Sequence, residues 1–345
     1  MPNQASRLAS PCPPWTSTVR REYEVYPRGG QIGFRSGYNP SVSEVTSAQS
    51  DAWTTRRLLD WIGVHLDQKG VHNPTLVGRM LLTHVIGGTD IDLYTDPDRP
   101  ASADELDRLR PLVARAASHE PVQYLVGQAD FFGRAFRVSP ATLIPRTATE
   151  SLVQIVLDWY RGIPVESRDS ASLTIADIGT GSGCIGLTLA RQIPGARVIA
   201  TDIVEEAIQL ARTNAALQGL EDRVEFRLGS LLSPLESDSC DVICANLPYV
   251  PDADWEGLEA NVKDHEPETA LRGGIDGLDL LRPVIAGSRE RLKPGGLLVL
   301  EIDPAQASKV LEQVESHQGF SEASIERDEF KDDRILRAVA TPLEP

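Results

Sequence analysis

The sequence predicts an α/β protein with a doubly wound, mostly parallel sheet, preceded by a small N-terminal helical domain. Three observations carry that prediction. Five short apolar runs, LTIADIG, ARVIATD, RVEFRLG, CDVICAN and GLLVLEI, alternate with helical stretches such as EEAIQLARTNAALQ, the βαβ pattern of buried parallel strands. The first run empties into a glycine-rich turn, DIGTGSG, and an apolar helical pattern follows. Between residues 51 and 120, by contrast, apolar residues recur at helical spacing with no strand-like run among them.

Bulk properties narrow the function. A chain of 345 residues is long for one domain and accommodates two and a tail. No run of about 18 apolar residues exists, so no membrane span is expected. With 50 acidic against 34 basic residues, the formal net charge is -16. Such a surface repels phosphate backbones, and no stable nucleic-acid binding is expected. Cys12, Cys184, Cys240 and Cys244 form no Cys-x-x-Cys pair and have no accompanying histidines, which argues against zinc. Without a signal peptide, free thiols in a reducing cytoplasm are the natural expectation. Cys240 and Cys244 flank a strand and suit core packing.

Taken in order, residues 1–50 scatter Pro, Gly, Ser and Arg without periodicity, the composition of a disordered tail. Leu58, Leu59, Ile62 and Leu66 then share one helical face. Asn73-Pro74 opens a second helix as N-cap and first residue, with Leu76, Met80, Leu81 and Val85 inward and Gly87-Gly88 at its end. Ser102 and Glu105 form a capping box for a third, in which Pro111 predicts a kink. Residues 121–145 hold strand-like runs separated by Gly127 and Gly133, a connecting hairpin. The domain from 146 to 345 begins with the helix SLVQIVLDWY.

The glycine turn defines the first candidate site. Glycines stand at 179, 181 and 183; a dinucleotide fingerprint starting at Gly179 needs glycine at 184, where the chain has Cys184. The observed spacing, with Asp177 before it, resembles the S-adenosylmethionine loop of class I methyltransferases. Asp177, Ile178, Gly179, Thr180 and Gly181 are therefore candidate cofactor residues, with a merely structural tight turn as the alternative. Asp202 ends the second strand, where one carboxylate accepts both hydroxyls of a ribose; an ordinary helix-capping Asp would occupy the same place. Ser230 and Leu231 follow the third strand, beside an adenine or simply in a loop.

The fourth strand leaves through Asn246, Leu247, Pro248 and Tyr249, more than a turn requires. A planar NH2 group awaiting methylation offers two N–H donors. The Asn246 side-chain oxygen and the Leu247 carbonyl can each accept one, Pro248 stiffens the loop, and the Tyr249 ring can stack on the flat group. Asn246 also borders the cofactor. Holding the nitrogen in line with a methyl donor supplies much of the catalysis.

At this point roughly residues 51–340 resemble the HemK-type protein-(glutamine-N5) methyltransferases, which modify peptide chain release factors. The match runs through EPVQYLVGQADFFGRAF, LIPR with Thr149-Glu150 close behind, DIGTGSG, HEPETALRGGIDGLDLLRPVI and LKPGGLLVLEI. The resemblance implies a class I S-adenosylmethionine-dependent methyltransferase fold with a helical substrate-docking domain over 51–120. It also implies S-adenosyl-L-methionine as cofactor, a release factor as protein partner and a cytoplasmic setting. It gives Arg146 either a part in shaping the site or a structural ion pair, and it leaves Glu266 and Glu268 in what reads as a solvated acidic loop. Two departures stand out: Leu247 replaces the first proline of Asn-Pro-Pro-Tyr, and Thr147-Ala148 replace a proline and an acidic residue. Asn-Leu-Pro-Tyr also occurs in ribosomal RNA adenine-N6 dimethyltransferases. The alternatives are therefore adenine-N6 methylation of RNA or DNA, glutamine methylation of a ribosomal protein, and a non-catalytic binding module.

Overall fold

The structure, a computed structural model, describes residues 52–164, 172–237 and 239–342. The disordered tail expected over 1–50 lies outside the described residues. The chain divides into two compact units, Met1–Ser118 and His119–Pro345.

In the first unit, α1 is Thr55–Gln68, α2 Pro74–Ile86, α3 Asp92–Thr95 and α4 Ala103–Ala116. Thr54 caps α1 by accepting the Arg57 N–H at 3.4 Å, and Leu58, Ile62 and Leu66 are fully buried, with Leu59 half-buried at the edge. Asn73 and Pro74 open α2 and Gly87 closes it. Its buried face is Val77, Leu81, Leu82 and Val85, which corrects the expected stripe: Leu76 is 43% exposed and Met80 only half-buried. Gly78 is the reason. A Cβ there would lie 3.1 Å from Ile62 Cγ2, so α1 packs tightly against α2 at a residue the apolar pattern does not mark. Both bonds of the Ser102–Glu105 capping box form, and α4 continues through Pro111, which faces solvent.

The second unit begins with α5, Val122–Val126, and an antiparallel hairpin of β1, Gln128–Phe131, and β2, Arg134–Arg137. Its two-residue turn, Phe132-Gly133, has φ of 51° and 71°, the paired positive values that match strand twist. Next comes α6, Thr147–Gly162. The main sheet comprises β3 Thr174–Ile178, β4 Arg197–Asp202, β5 Val224–Leu228, β6 Cys240–Asn246, β7 Leu292–Glu301, β8 Phe320–Arg327 and β9 Asp333–Ala340. Its order is β5-β4-β3-β6-β7-β9-β8. The first five strands are parallel and coincide with the five apolar runs; β9 is antiparallel to both its neighbours.

Between the strands run α7 Cys184–Gln192, α8 Glu205–Gln218, α9 Ala260–Lys263, α10 Leu281–Arg291 and α11 Ala307–Ser316. Alternation along the strands sends Ile175, Val242, Cys244 and Val299 into one core with α6 and α7. Ala176, Ile178, Ile243 and Leu298 enter a second core with α10 and α11. Cys240 and Cys244 are fully buried thiols, as core packing requires. Successive connections run outward from β3 to β4 and β5, then return to β6 beside β3. Such a switch point opens a crevice at the carboxyl ends of the strands. Among the described residues, no helix is long and apolar enough to cross a membrane.

Candidate active site

A cleft at the carboxyl ends of β3 to β6 is lined by Gly179, Gly181, Asp202, Ser230, Leu231, Asn246, Leu247 and Pro248. Ala141, Thr142, Leu143, Ile203, Val204, Gly229, Thr269, Ala270 and Leu280 complete its walls. Four residues marked in the sequence stand behind it. Asp177, Ile178 and Thr180 are buried, and Tyr249 is half-buried on the second core.

Gly179 and Gly181 have φ of 69° and 55°, a region that side-chain-bearing residues resist. A Cβ at Gly179 would meet Leu247 Cδ2 at 3.0 Å, so the glycine turn and the Asn-Leu-Pro-Tyr loop touch only because that atom is missing. Asp177 ties the turn from below: its Oδ2 accepts the Thr180 hydroxyl at 2.6 Å and the Gly186 N–H at 2.9 Å, while Oδ1 has no partner. Burial pushes this carboxyl up to about 6 against those two hydrogen bonds, and the charge of Asp202 adds to the rise.

Asp202 accepts the Gly181 N–H on Oδ2 and the Val204 N–H on Oδ1, both at 3.0 Å. Each oxygen keeps a lone pair for a further donor. Ser230 is exposed, its carbonyl taken by the N–H and hydroxyl of Ser233 at 3.0 and 2.7 Å. Leu231 holds φ at 47°, a costly conformation for a leucine and one that persists where the surroundings impose it.

On the opposite wall, Asn246 Nδ2 donates to Thr149 Oγ1 at 3.0 Å. Its Oδ1 accepts no donor from the described residues, nor does the Leu247 carbonyl. The Leu247 side chain is buried in the second core. Tyr249, whose ring the sequence offered for stacking on the flat group, is instead packed on the second core and anchored at both ends. Its hydroxyl donates to Glu301 Oε1 at 3.2 Å and accepts from Arg334 at 3.4 Å, and its carbonyl accepts Gln306 Nε2 at 2.9 Å. Burial first, then the Glu301 charge, raises the Tyr249 phenol above its ordinary range.

The rim is braced by residues outside the cleft. Arg146 pairs with Glu266 Oε1, and Glu266 Oε2 accepts the Ile144 N–H at 3.1 Å. Glu266 is thus a buried anchor, which corrects the solvated acidic loop expected there; the Ile144 N–H and the Arg146 guanidinium meet on one carboxylate that is only 1% exposed. Glu268, as expected, is exposed and pairs with Arg272. Tyr124 donates its hydroxyl to the Thr142 carbonyl at 2.6 Å. Asn214 accepts the Arg137 N–H at 2.7 Å and donates to the Arg137 and Ser182 carbonyls at 3.0 and 2.8 Å, joining hairpin to glycine turn.

Sequence reasoning gave no site role to Thr149, Asn214, Glu301 or Gln306. Two left a signal: Asn214 interrupts the inward stripe Ala207, Ala211, Ala215, and Glu301 is an acid at the end of an apolar strand. A polar residue on a buried face must find a partner, and that is what both do.

Known proteins resemble the chain along most of its length. Residues 57–127 match the PrmC N-terminal domain, and residues 169–331 match a methyltransferase domain. A release factor glutamine methyltransferase of Geobacter sulfurreducens is 40% identical over 286 residues, 83% of this chain and 96% of its own. Another, of Koribacter versatilis, is 40% identical over 260 residues, 75% of this chain and 90% of its own. Among solved structures, a ribosomal protein L11 methylase from Lactobacillus delbrueckii subsp. bulgaricus aligns at a TM-score of 0.42 and 23% identity. That alignment covers 60% of this chain and 84% of the other.

Proposed function

Because the chain belongs to the release factor glutamine methyltransferase family, we propose that it methylates a glutamine side-chain amide nitrogen in a peptide chain release factor. The methyl group comes from S-adenosyl-L-methionine, and the second unit has the class I methyltransferase fold that uses it. In this reading residues 51–120 dock the substrate, 121–145 connect, and 146–345 hold the chemistry. One observation carries it: the glycine turn, Asp202 and the Asn246–Pro248 loop border a single cleft.

The donor set fits the cofactor. Asp202 has a spare lone pair on each oxygen, the arrangement that receives the two hydroxyls of a ribose. The turn at Gly179 and Gly181 exposes backbone without side chains, so a ligand can approach closely. Ser230 and Leu231 flank the adenine, one polar and one apolar. Asp177 and Thr180 shape the turn from behind.

S-adenosyl-L-methionine supplies an electrophilic methyl group. The protein's task is to present the nitrogen. Asn246 Oδ1 and the Leu247 carbonyl each accept one N–H of the substrate amide, which fixes its plane and pushes electron density onto nitrogen. Pro248 limits the loop, and Tyr249 contributes by holding it from both ends. Restricting the nucleophile to one approach is worth several kcal/mol of barrier. A surface with net charge -16 favours a protein substrate over a phosphate backbone. Work on translation factors sets the enzyme in the cytoplasm.

Labelled methyl transfer to purified release factors, ribosomal proteins and RNA tests the proposal. The parent labels the release factor, and Asn246→Ala loses about 10²-fold or more in turnover while cofactor affinity stays close to the parent value. Labelling of RNA adenines with the release factor untouched would sink the reading, as would an Asn246→Ala variant at the parent rate.

A further inference from the structure

Between β2 and α6 the chain turns at residues 139–142, where the Thr142 N–H donates to the Ser139 carbonyl at 3.0 Å. It then runs to Arg146 outside any helix or strand, and Ala141, Thr142 and Leu143 line the cleft on the way. Burial alternates here as it does along a strand: Thr142 and Ile144 are buried, and Leu143 between them is half-buried. Two side chains hold one edge of this stretch. The Thr142 carbonyl accepts the Tyr124 hydroxyl at 2.6 Å, and the Ile144 N–H donates to Glu266 Oε2 at 3.1 Å. A planar trans peptide points its C=O and its N–H in opposite directions. With the Thr142 carbonyl and the Ile144 N–H spent on that edge, the Leu143 N–H and the Leu143 carbonyl face away from it. Neither has a hydrogen-bond partner among the described residues.

We propose that Leu143 is a main-chain docking point for the protein substrate: its N–H and C=O exchange hydrogen bonds with the C=O and N–H of one residue in the glutamine-bearing segment. The inference rests on the amide-methylation reading above. A residue that offers both groups on one side is half of a two-bond antiparallel pair, and an extended chain supplies the other half. Recognition through the main chain tolerates changes of substrate sequence. It still fixes where the segment lies relative to the Asn246–Pro248 loop, which lines the same cleft. The amino-acid end of the cofactor also carries a donor and an acceptor, but as full charges. Leu143 offers neutral partners, and Arg146, the one cation between β2 and α6, is paired with Glu266. A neutral peptide loses less than a zwitterion on leaving water for such partners. Tyr124 and Glu266 are positioning residues in this arrangement, since they turn the two peptide planes that present Leu143.

Hydrogen exchange at the Leu143 amide tests the dock directly. It is followed residue by residue in three samples: the protein alone, the protein with S-adenosylhomocysteine, and the protein with S-adenosylhomocysteine and a release factor. The Leu143 amide is protected about 10-fold or more in the third sample alone, the effect of one new hydrogen bond. Full protection with S-adenosylhomocysteine by itself assigns the pair to the cofactor and overturns the proposal. An unprotected Leu143 amide in a complex that holds the release factor overturns it as well.

Kinetics give a second reading. Leu143→Pro removes the N–H and keeps the carbonyl. Its KM for the release factor rises about 10-fold, more than kcat falls, while calorimetric cofactor affinity stays near the parent value. Tyr124→Phe keeps the ring and releases the Thr142 carbonyl, and KM rises in the same sense. A merely structural tyrosine would lower the melting temperature and leave KM unchanged. Parent KM in a folded Leu143→Pro overturns the dock, and if that variant does not fold, exchange in the parent protein decides. A release factor that is neither bound nor methylated defeats the proposed function and the dock with it. A methylated release factor beside an unprotected Leu143 amide defeats the dock alone.

Discussion

Asp202 serves two purposes with one carboxylate. It fixes the glycine turn through the Gly181 N–H, and it holds the start of the next loop through the Val204 N–H. Asp202→Ala is expected to weaken S-adenosyl-L-methionine binding by about 1–3 kcal/mol, the scale of hydrogen bonds to a charged acceptor. Isothermal calorimetry on the folded variant checks this, and unchanged affinity would remove Asp202 from the site. Leu247 poses a different question. Its carbonyl survives replacement by proline, and its N–H donates to no backbone acceptor among the described residues. Its side chain, however, fills the space over Gly179 and packs in the second core. Leu247→Pro should therefore keep methyl transfer near the parent rate and lose about 1–2 kcal/mol of stability to the smaller ring. A melting curve beside a turnover assay separates the two effects. The glycines, Asp202 and the Asn-Leu-Pro-Tyr loop were legible in the sequence because each breaks a regular pattern. Glu266 was not, since an acid in a run of acids looks solvated until the fold brings Ile144 and Arg146 to it.

At the level of elements, the cleft is an assembly of strand ends braced by pieces distant in sequence. Arg146 and Ile144, just before α6, are joined to Glu266. The β1–β2 hairpin is joined to the glycine turn by Asn214 of α8. Glu266→Ala leaves an arginine and a backbone N–H without their acceptor. Because the Arg146 side chain is 37% exposed, water recovers part of the loss, and the expected cost is about 2 kcal/mol. Urea unfolding measures it; a cost within error of zero would make the pair an ornament of the rim. The parallel strands were legible because they are buried on both faces and read as unbroken apolar runs. In α2 the pattern misled. Leu76 belongs to an apolar stripe, yet Ile62 of α1 packs tightly against Gly78, and that face of α2 is the buried one.

For the molecule as a whole, the buried carboxyl of Asp177 makes stability depend on pH. Its ordinary value is 3.8, and in the fold burial raises it to about 6. Below the lower value both folded and unfolded chains hold the proton and no penalty exists. As pH rises through the window, the unfolded chain releases a proton that the native state retains, so stability falls. The loss is complete above about 6, amounting to about 3 kcal/mol. Asp177→Asn keeps an oxygen acceptor for Thr180 and Gly186 and has no proton to release. Its unfolding free energy, relative to the parent, should rise between about pH 4 and 6 and then level off. Denaturant melts of both proteins across that range check the slope, and a flat difference would mean that Asp177 ionises without penalty.

The sequence by itself determined the layering of the second unit, the glycine turn after β3 and the acceptor-rich loop after β6. These follow from local periodicity, from glycines placed where positive φ is needed, and from a loop richer in acceptors than a turn requires. The final antiparallel pair β8–β9, the Arg146–Glu266 brace, the Asn214 bridge and the Asn246–Thr149 hydrogen bond were decided only by the tertiary structure. Apart from β8–β9, each joins residues separated by 77 to 120 positions. A lone Thr, Asn or Glu carries no mark of its partner in one sequence, because a buried polar group finds that partner only when the chain closes around it.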